Sequence, residues 1–157
     1  FALHRWKAPA AHWPNRRRLA NGVDLQRRPW RQYADWTAPL LAEPLWEHVE
    51  VIGAEVMLCD MERNVAGTFD LVLRFPDGTC GVADLKTLSA KGRPYPTRPQ
   101  LGAGALMLAA HHGLELSRCL TLWASPGSCQ VQTFRAEDCI ARWLDVFARY
   151  EAQWRPF

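Results

Sequence analysis

Trp30, Tyr33, Ala34, Thr37, Leu40 and Leu41 recur at helical spacing. With Pro29 suited to a first helical turn and Pro44 ending the pattern, they predict one amphipathic helix. From about Val49 the apolar period shortens to two. Three β-segments are predicted, at roughly 49–59, 65–75 and 79–87, with Pro76-Asp-Gly78 as the tight turn between the last two. The segment Leu88-Ser-Ala-Lys-Gly-Arg-Pro-Tyr-Pro-Thr-Arg-Pro99 carries three prolines and three basic residues and reads as a mobile loop.

A second helix follows, with Pro99 as its starter and Gly113 as its stop. Its run of small residues would let it lie close to a sheet. Segments 118–124 and 129–134 read as two more strands around Ser125-Pro-Gly-Ser128. In the last segment Ile140, Trp143, Leu144, Phe147 and Tyr150 form one apolar stripe, with Glu137 and Asp138 near the helix's positive end. The order is helix, three strands, helix, two strands, helix. At 157 residues the expectation is one domain, 1–157, with a basic helical part at 1–45 and an α/β core at 46–157.

Composition adds little to this picture: 48% hydrophobic and 22% charged residues describe an ordinary globular protein. No apolar run approaches the roughly 20 residues of a membrane span. The first residues lack the basic-then-apolar order of a secretory signal. A cytoplasmic protein, bacterial or phage-encoded, is the expectation. The five cysteines, Cys59, Cys80, Cys119, Cys129 and Cys139, include no C-x-x-C pair, which argues against a disulfide framework, a zinc knuckle or an iron–sulfur cluster.

Charge changes the picture more. Within residues 1–31 eight basic side chains face the single acid Asp24, so the net charge of +3 conceals a strongly basic start and an acidic remainder. Trp6, Trp13 and Trp30 interleave with those arginines. Guanidinium groups for phosphates and aromatic faces for bases suit a nucleic acid, and a solvated basic segment whose tryptophans cover the core suits the same pattern.

The chemistry concentrates in Val65-Ala-Gly-Thr-Phe-Asp-Leu-Val-Leu-Arg-Phe75 and Thr79-Cys-Gly-Val-Ala-Asp-Leu-Lys-Thr87. Strand alternation puts Phe69, Leu71, Leu73 and Phe75 on one face and turns Asp70 to the other. It also sets Asp84 and Lys86 side by side. A hairpin centred near residue 77 brings Asp70 opposite Asp84, so that the two carboxylates can share one cation. Burying two carboxylates and a lysine as mere structure is costly, and a divalent ion offsets that cost. Hard oxygen donors without clustered His or Cys favour Mg²⁺ or Mn²⁺, with the Leu85 carbonyl as a further ligand. Such a site suits phosphodiester hydrolysis, with Lys86 acting on the attacking water or on the developing charge.

Gly67-Thr-Phe-Asp70, then Asp84-Leu-Lys86-Thr87, then Gln100 opening a helix resemble the G-x-x-D, D/E-x-K-T and Q-x-x-x-Y series of RecB-like PD-(D/E)XK nucleases, a family that includes lambda-exonuclease-type enzymes. The resemblance is good over about residues 49–112. It implies an α/β fold, a mixed central β-sheet flanked by helices in a restriction-endonuclease-like core. It also implies that Asp70 and Asp84 bind metal, Lys86 is catalytic, and Gln100 reaches the site. The tyrosine of Q-x-x-x-Y is replaced by Gly104. Relatives often carry one more metal ligand; Leu3-His-Arg-Trp6 resembles the segment that holds it, which makes His4 the candidate, and Glu55 competes.

The resulting expectation is a metal-dependent deoxyribonuclease, an exonuclease with little sequence specificity acting on single-stranded DNA or duplex ends, in bacterial or phage DNA processing such as repair or recombination. The alternative is an inactive nucleic-acid-binding module that retains the nuclease fold.

Overall fold

A computed structural model describes residues 30–154. His4 and most of the basic segment lie outside the described residues. The chain runs through a 3-10 turn (Trp30–Tyr33), α1 (Ala34–Leu41), a second 3-10 turn (Pro44–Glu47), β1 (Glu50–Asp60), β2 (Val65–Arg74), β3 (Cys80–Thr87), α2 (Arg98–His112), β4 (Leu116–Ser125), β5 (Ser128–Arg135) and α3 (Ala136–Trp154). This is the order that the hydrophobic periodicity predicts. The first helix differs in its opening turn. Tyr33 offers no side-chain cap to α1, and the backbone there tightens into 3-10 form.

The five strands form one sheet in chain order, β1-β2-β3-β4-β5. The β1–β2–β3 meander and the β4–β5 hairpin are antiparallel, whereas β3 and β4 run parallel. A parallel pair needs a long crossover, and α2 supplies it. Two apolar layers cover the sheet. On one face Phe69, Val72, Val82 and Cys119 pack with Leu101, Met107 and Leu108 of α2 and Cys139 of α3. On the other, Leu71, Leu73, Phe75, Ala83, Leu120 and Leu122 pack with Leu40, Leu45 and Trp46. Each such Leu or Phe contributes about 1.5–3 kcal/mol by leaving water.

Phe69 corrects the simple alternation, for it lies on the α2 face while Leu71, Leu73 and Phe75 lie on the other. The period of two slips by one residue at Asp70. Opposite it in β1, between the pairs Ala54–Leu71 and Val56–Phe69, Glu55 adopts a left-handed backbone with φ 51°. The pleat is therefore interrupted in both strands at the level of Asp70.

Two glycines explain how closely α2 packs. A Cβ at Gly104 would lie 2.6 Å from the Phe69 ring, and one at Gly102 would overlap the Cys139 backbone carbonyl. The small residues thus serve β2 and α3 alike. Gly113 ends α2 with φ 62°, its N–H donating to the Ala109 carbonyl. The α3 stripe is wider than its contact with the sheet: Phe147 is buried, but Leu144 and Tyr150 are 38% and 57% exposed. Those two sit toward an open groove by the β1–β2 turn. All five cysteines are free thiols. Among the described residues no helix is long and apolar enough to cross a membrane.

Candidate active site

The turn residues set the geometry of the site. Gly78 takes φ 82°, a conformation that costs glycine little, and Asp77 accepts hydrogen bonds from the Thr79 N–H and hydroxyl. The hairpin register is consequently Arg74–Cys80, Leu73–Gly81, Val72–Val82 and Leu71–Ala83. One further step would set Asp70 against Asp84. The backbone ladder stops just there. The Asp70 carboxylate takes its place, its Oδ2 accepting the Leu85 N–H at 2.7 Å. In an extended strand the N–H and C=O of one residue point to the same edge, so the Leu85 carbonyl looks into the same gap.

Asp84 is 4% exposed. Its Oδ1 accepts from Gln100 Nε2 at 2.9 Å, and Lys86 Nζ donates to Gln100 Oε1 at 3.1 Å. Lys86 Nζ also stands 2.7 Å from Asp84 Oδ2. That approach is an ion pair lacking hydrogen-bond alignment, so Oδ2 is a buried oxygen without a hydrogen-bond partner. Burial pushes the Asp84 carboxyl above the usual carboxylate range. Lys86 pulls it back and the Asp70 carboxylate pushes it further up.

Gln100 is held by the start of α2. Thr97 and Thr121 share a buried hydroxyl–hydroxyl hydrogen bond of 2.7 Å, and the Leu101 N–H donates to the Thr97 carbonyl. This tie between α2 and β4 spans 24 positions.

The structure therefore brings Asp70, Asp84, Leu85, Lys86 and Gln100 together. Glu55 lies across from Asp70 in the β1–β2 register and is exposed. His4 lies outside the described residues. Among the described residues no group of three or more His, Cys, Asp or Glu side chains could hold a metal ion. The side-chain donors here are two carboxylates. An unbonded buried carboxylate oxygen beside a second carboxylate is a hard-oxygen donor set that fits Mg²⁺ or Mn²⁺. The Gly104 departure has a packing explanation, since the Phe69 ring fills the space into which a side chain at 104 would project.

The raised Asp84 value carries a sign for stability. Protonated Asp84 favours the folded state, and that contribution is lost as the pH climbs through its raised pKa. Asp84→Asn removes the loss. The variant is expected to melt above the wild type at neutral pH, with the difference closing toward acid pH. Thermal melts from about pH 3 to about pH 8 check this, and a gap that widens toward acid contradicts it.

No protein-family model matches the sequence, and no curated protein matches it. Among solved structures, the chain resembles a crystal structure from Eubacterium rectale named "Putative exonuclease". The TM-score is 0.54 at 10% identity, over 81% of this chain and 55% of that one. The chain thus spans about half the length of that protein. The likeness is one of fold: a mixed five-stranded sheet with flanking helices, consistent with a restriction-endonuclease-like α/β core.

Proposed function

We propose that this chain is a metal-dependent deoxyribonuclease of the PD-(D/E)XK type, an exonuclease that hydrolyses DNA phosphodiester bonds with little sequence specificity. The observation that carries the reading is the buried Asp84 carboxylate, whose Oδ2 is ion-paired with the Lys86 ammonium and stands beside the Asp70 carboxylate. A fold would gain more from apolar residues at such a place, and buried charged groups gathered this closely mark functional sites. The fold likeness to the exonuclease-named protein supports the same reading.

Asp70, Asp84 and the Leu85 carbonyl are the oxygens that would hold Mg²⁺ or Mn²⁺. When bound, the ion polarises the scissile phosphate and lowers the pKa of water. The chain's own groups do the rest. Gln100 bridges Asp84 and Lys86, so the ammonium is held at a fixed place above the carboxylate. From there Nζ can donate to a phosphate oxygen as negative charge develops, or orient the attacking water. The basic residues near the N-terminus and the loop before α2 would contact phosphates, which position a strand without reading its sequence.

Labelled single-stranded and duplex DNA, incubated with Mg²⁺ or Mn²⁺ and with a chelator control, test the proposal. Shortened products that depend on the metal are expected. Intact DNA under every metal condition contradicts it, and binding without cleavage supports the inactive-module reading instead.

A further inference from the structure

On the loop before α2, the Tyr95 side chain takes no part in either apolar layer. Tyr95 is 51% exposed. Its ring meets the Trp123 ring edge-on, with centroids 4.9 Å apart and planes at 80°. Trp123 itself is 2% exposed and donates from Nε1 to Gln132 Oε1, so it is a fixed support. In the parallel β3–β4 register Trp123 is the partner of Lys86, which puts the Tyr95 ring on the flank of the site.

The loop that carries Tyr95 is tied at both ends. Trp36 Nε1 donates to the Leu88 carbonyl at 2.8 Å, and Thr97 is bonded to Thr121. Pro94 and Pro96 flank the tyrosine. The first fixes its own φ, and the second biases Tyr95 toward an extended backbone. A ring held this way loses little freedom on binding a ligand, which is what a platform requires. Lys91 and Arg93 are exposed on the same loop, giving it the charge that a phosphate chain seeks.

We infer that Tyr95 is a stacking platform for an unpaired nucleobase, which holds a single strand beside Asp70, Asp84 and Lys86. The inference rests on the nuclease reading and narrows its substrate to single-stranded DNA or a frayed end. In a duplex both faces of an interior base are already stacked, so Tyr95 has nothing to take. Base–aromatic stacking tolerates every base, which agrees with low sequence specificity.

The test uses a single-stranded oligonucleotide carrying 2-aminopurine, bound without divalent cation, and the corresponding duplex. The proteins are the wild type, Tyr95→Phe, Tyr95→Leu and Tyr95→Ala. Stacking quenches 2-aminopurine. Wild type and Tyr95→Phe should quench it and bind alike. Tyr95→Leu keeps an apolar contact with Trp123 but has no aromatic face; it and Tyr95→Ala should lose the quenching and about tenfold or more in single-strand affinity, with duplex affinity unchanged. Single-strand affinity and quenching that survive in Tyr95→Leu overturn the platform. Equal losses on single strand and duplex overturn it too. Cleavage of the same DNA in Mn²⁺ separates the two claims: a wild type that quenches but never cleaves sinks the nuclease reading and leaves the platform standing, whereas one that cleaves with Tyr95→Leu binding normally does the reverse.

Discussion

Lys86→Ala is expected to lower kcat for DNA cleavage by about 10²–10⁴-fold, the usual cost of removing a positioned proton-transfer or charge-stabilising group. The side chain is 20% exposed, and its ammonium pairs with two groups of the site, Asp84 and Gln100. Its loss removes no part of either apolar layer. Asp84 keeps its hydrogen bond from Gln100 in the variant, so the melting temperature should move by a few degrees at most. The effect belongs in kcat and not in KM, because the phosphate contacts assigned to the basic segment and loop are untouched. Lys86→Arg should recover little: a broad planar guanidinium does not fit between Asp84 and Gln100 as a compact ammonium does. Single-turnover and steady-state cleavage of the same strand check the split. A rise in KM at unchanged kcat would make Lys86 a binding residue only.

Gly102→Ala is the substitution expected to cost most in stability. A methyl group there meets the Cys139 carbonyl and the Ile140 nitrogen. These are backbone atoms of α3 and cannot turn aside as a flexible side chain would. The helices must part, and overpacking of this kind costs about 1–3 kcal/mol, occasionally more. For a domain of this size that is roughly 3–10 °C in melting temperature. Gln100 lies two residues earlier on the same helix, so a shifted α2 should reduce activity as well. Gly67→Ala is the matched control, since the nearest atom to its added methyl is Phe69 Cζ at 3.5 Å. Denaturant or thermal unfolding of the two variants should separate them clearly. Equal stabilities would mean that the α2–α3 approach is not set by Gly102.

The legible parts of the fold were those with local causes. Pro76-Asp-Gly78 specifies a turn, the turn specifies a register, and the register carried Asp70 to the level of Asp84, as the Leu71–Ala83 pair bears out. Gly113 could be read as a helix stop because an αL residue is needed there. The flip of Phe69 to the α2 face was not legible. It depends on a break in β1 at Glu55 and on Gly104 across the chain, and alternation within one strand contains neither. For the same reason Gly104 looked in sequence like the loss of a tyrosine, while in space it makes room for Phe69. The Thr97–Thr121 tie and the Tyr95–Trp123 pair join positions brought together by the parallel crossover. Nothing local marks them. Of the candidate third ligands, Glu55 stands across from Asp70 in register, and His4 belongs to the segment outside the described residues.

Asp70 is the most direct point of test for a cation-binding pair formed across the hairpin. Its carboxylate bonds the Leu85 N–H, and asparagine, with its own carbonyl oxygen, can keep that bond while losing the charge. The measurement is the single-turnover rate at which Asp70→Asn shortens an end-labelled strand in saturating Mn²⁺, beside wild type of matched melting temperature. A fall of about 10²-fold or more is predicted. Cleavage at the wild-type rate would show that the Asp70–Asp84 pair is not the centre of the chemistry.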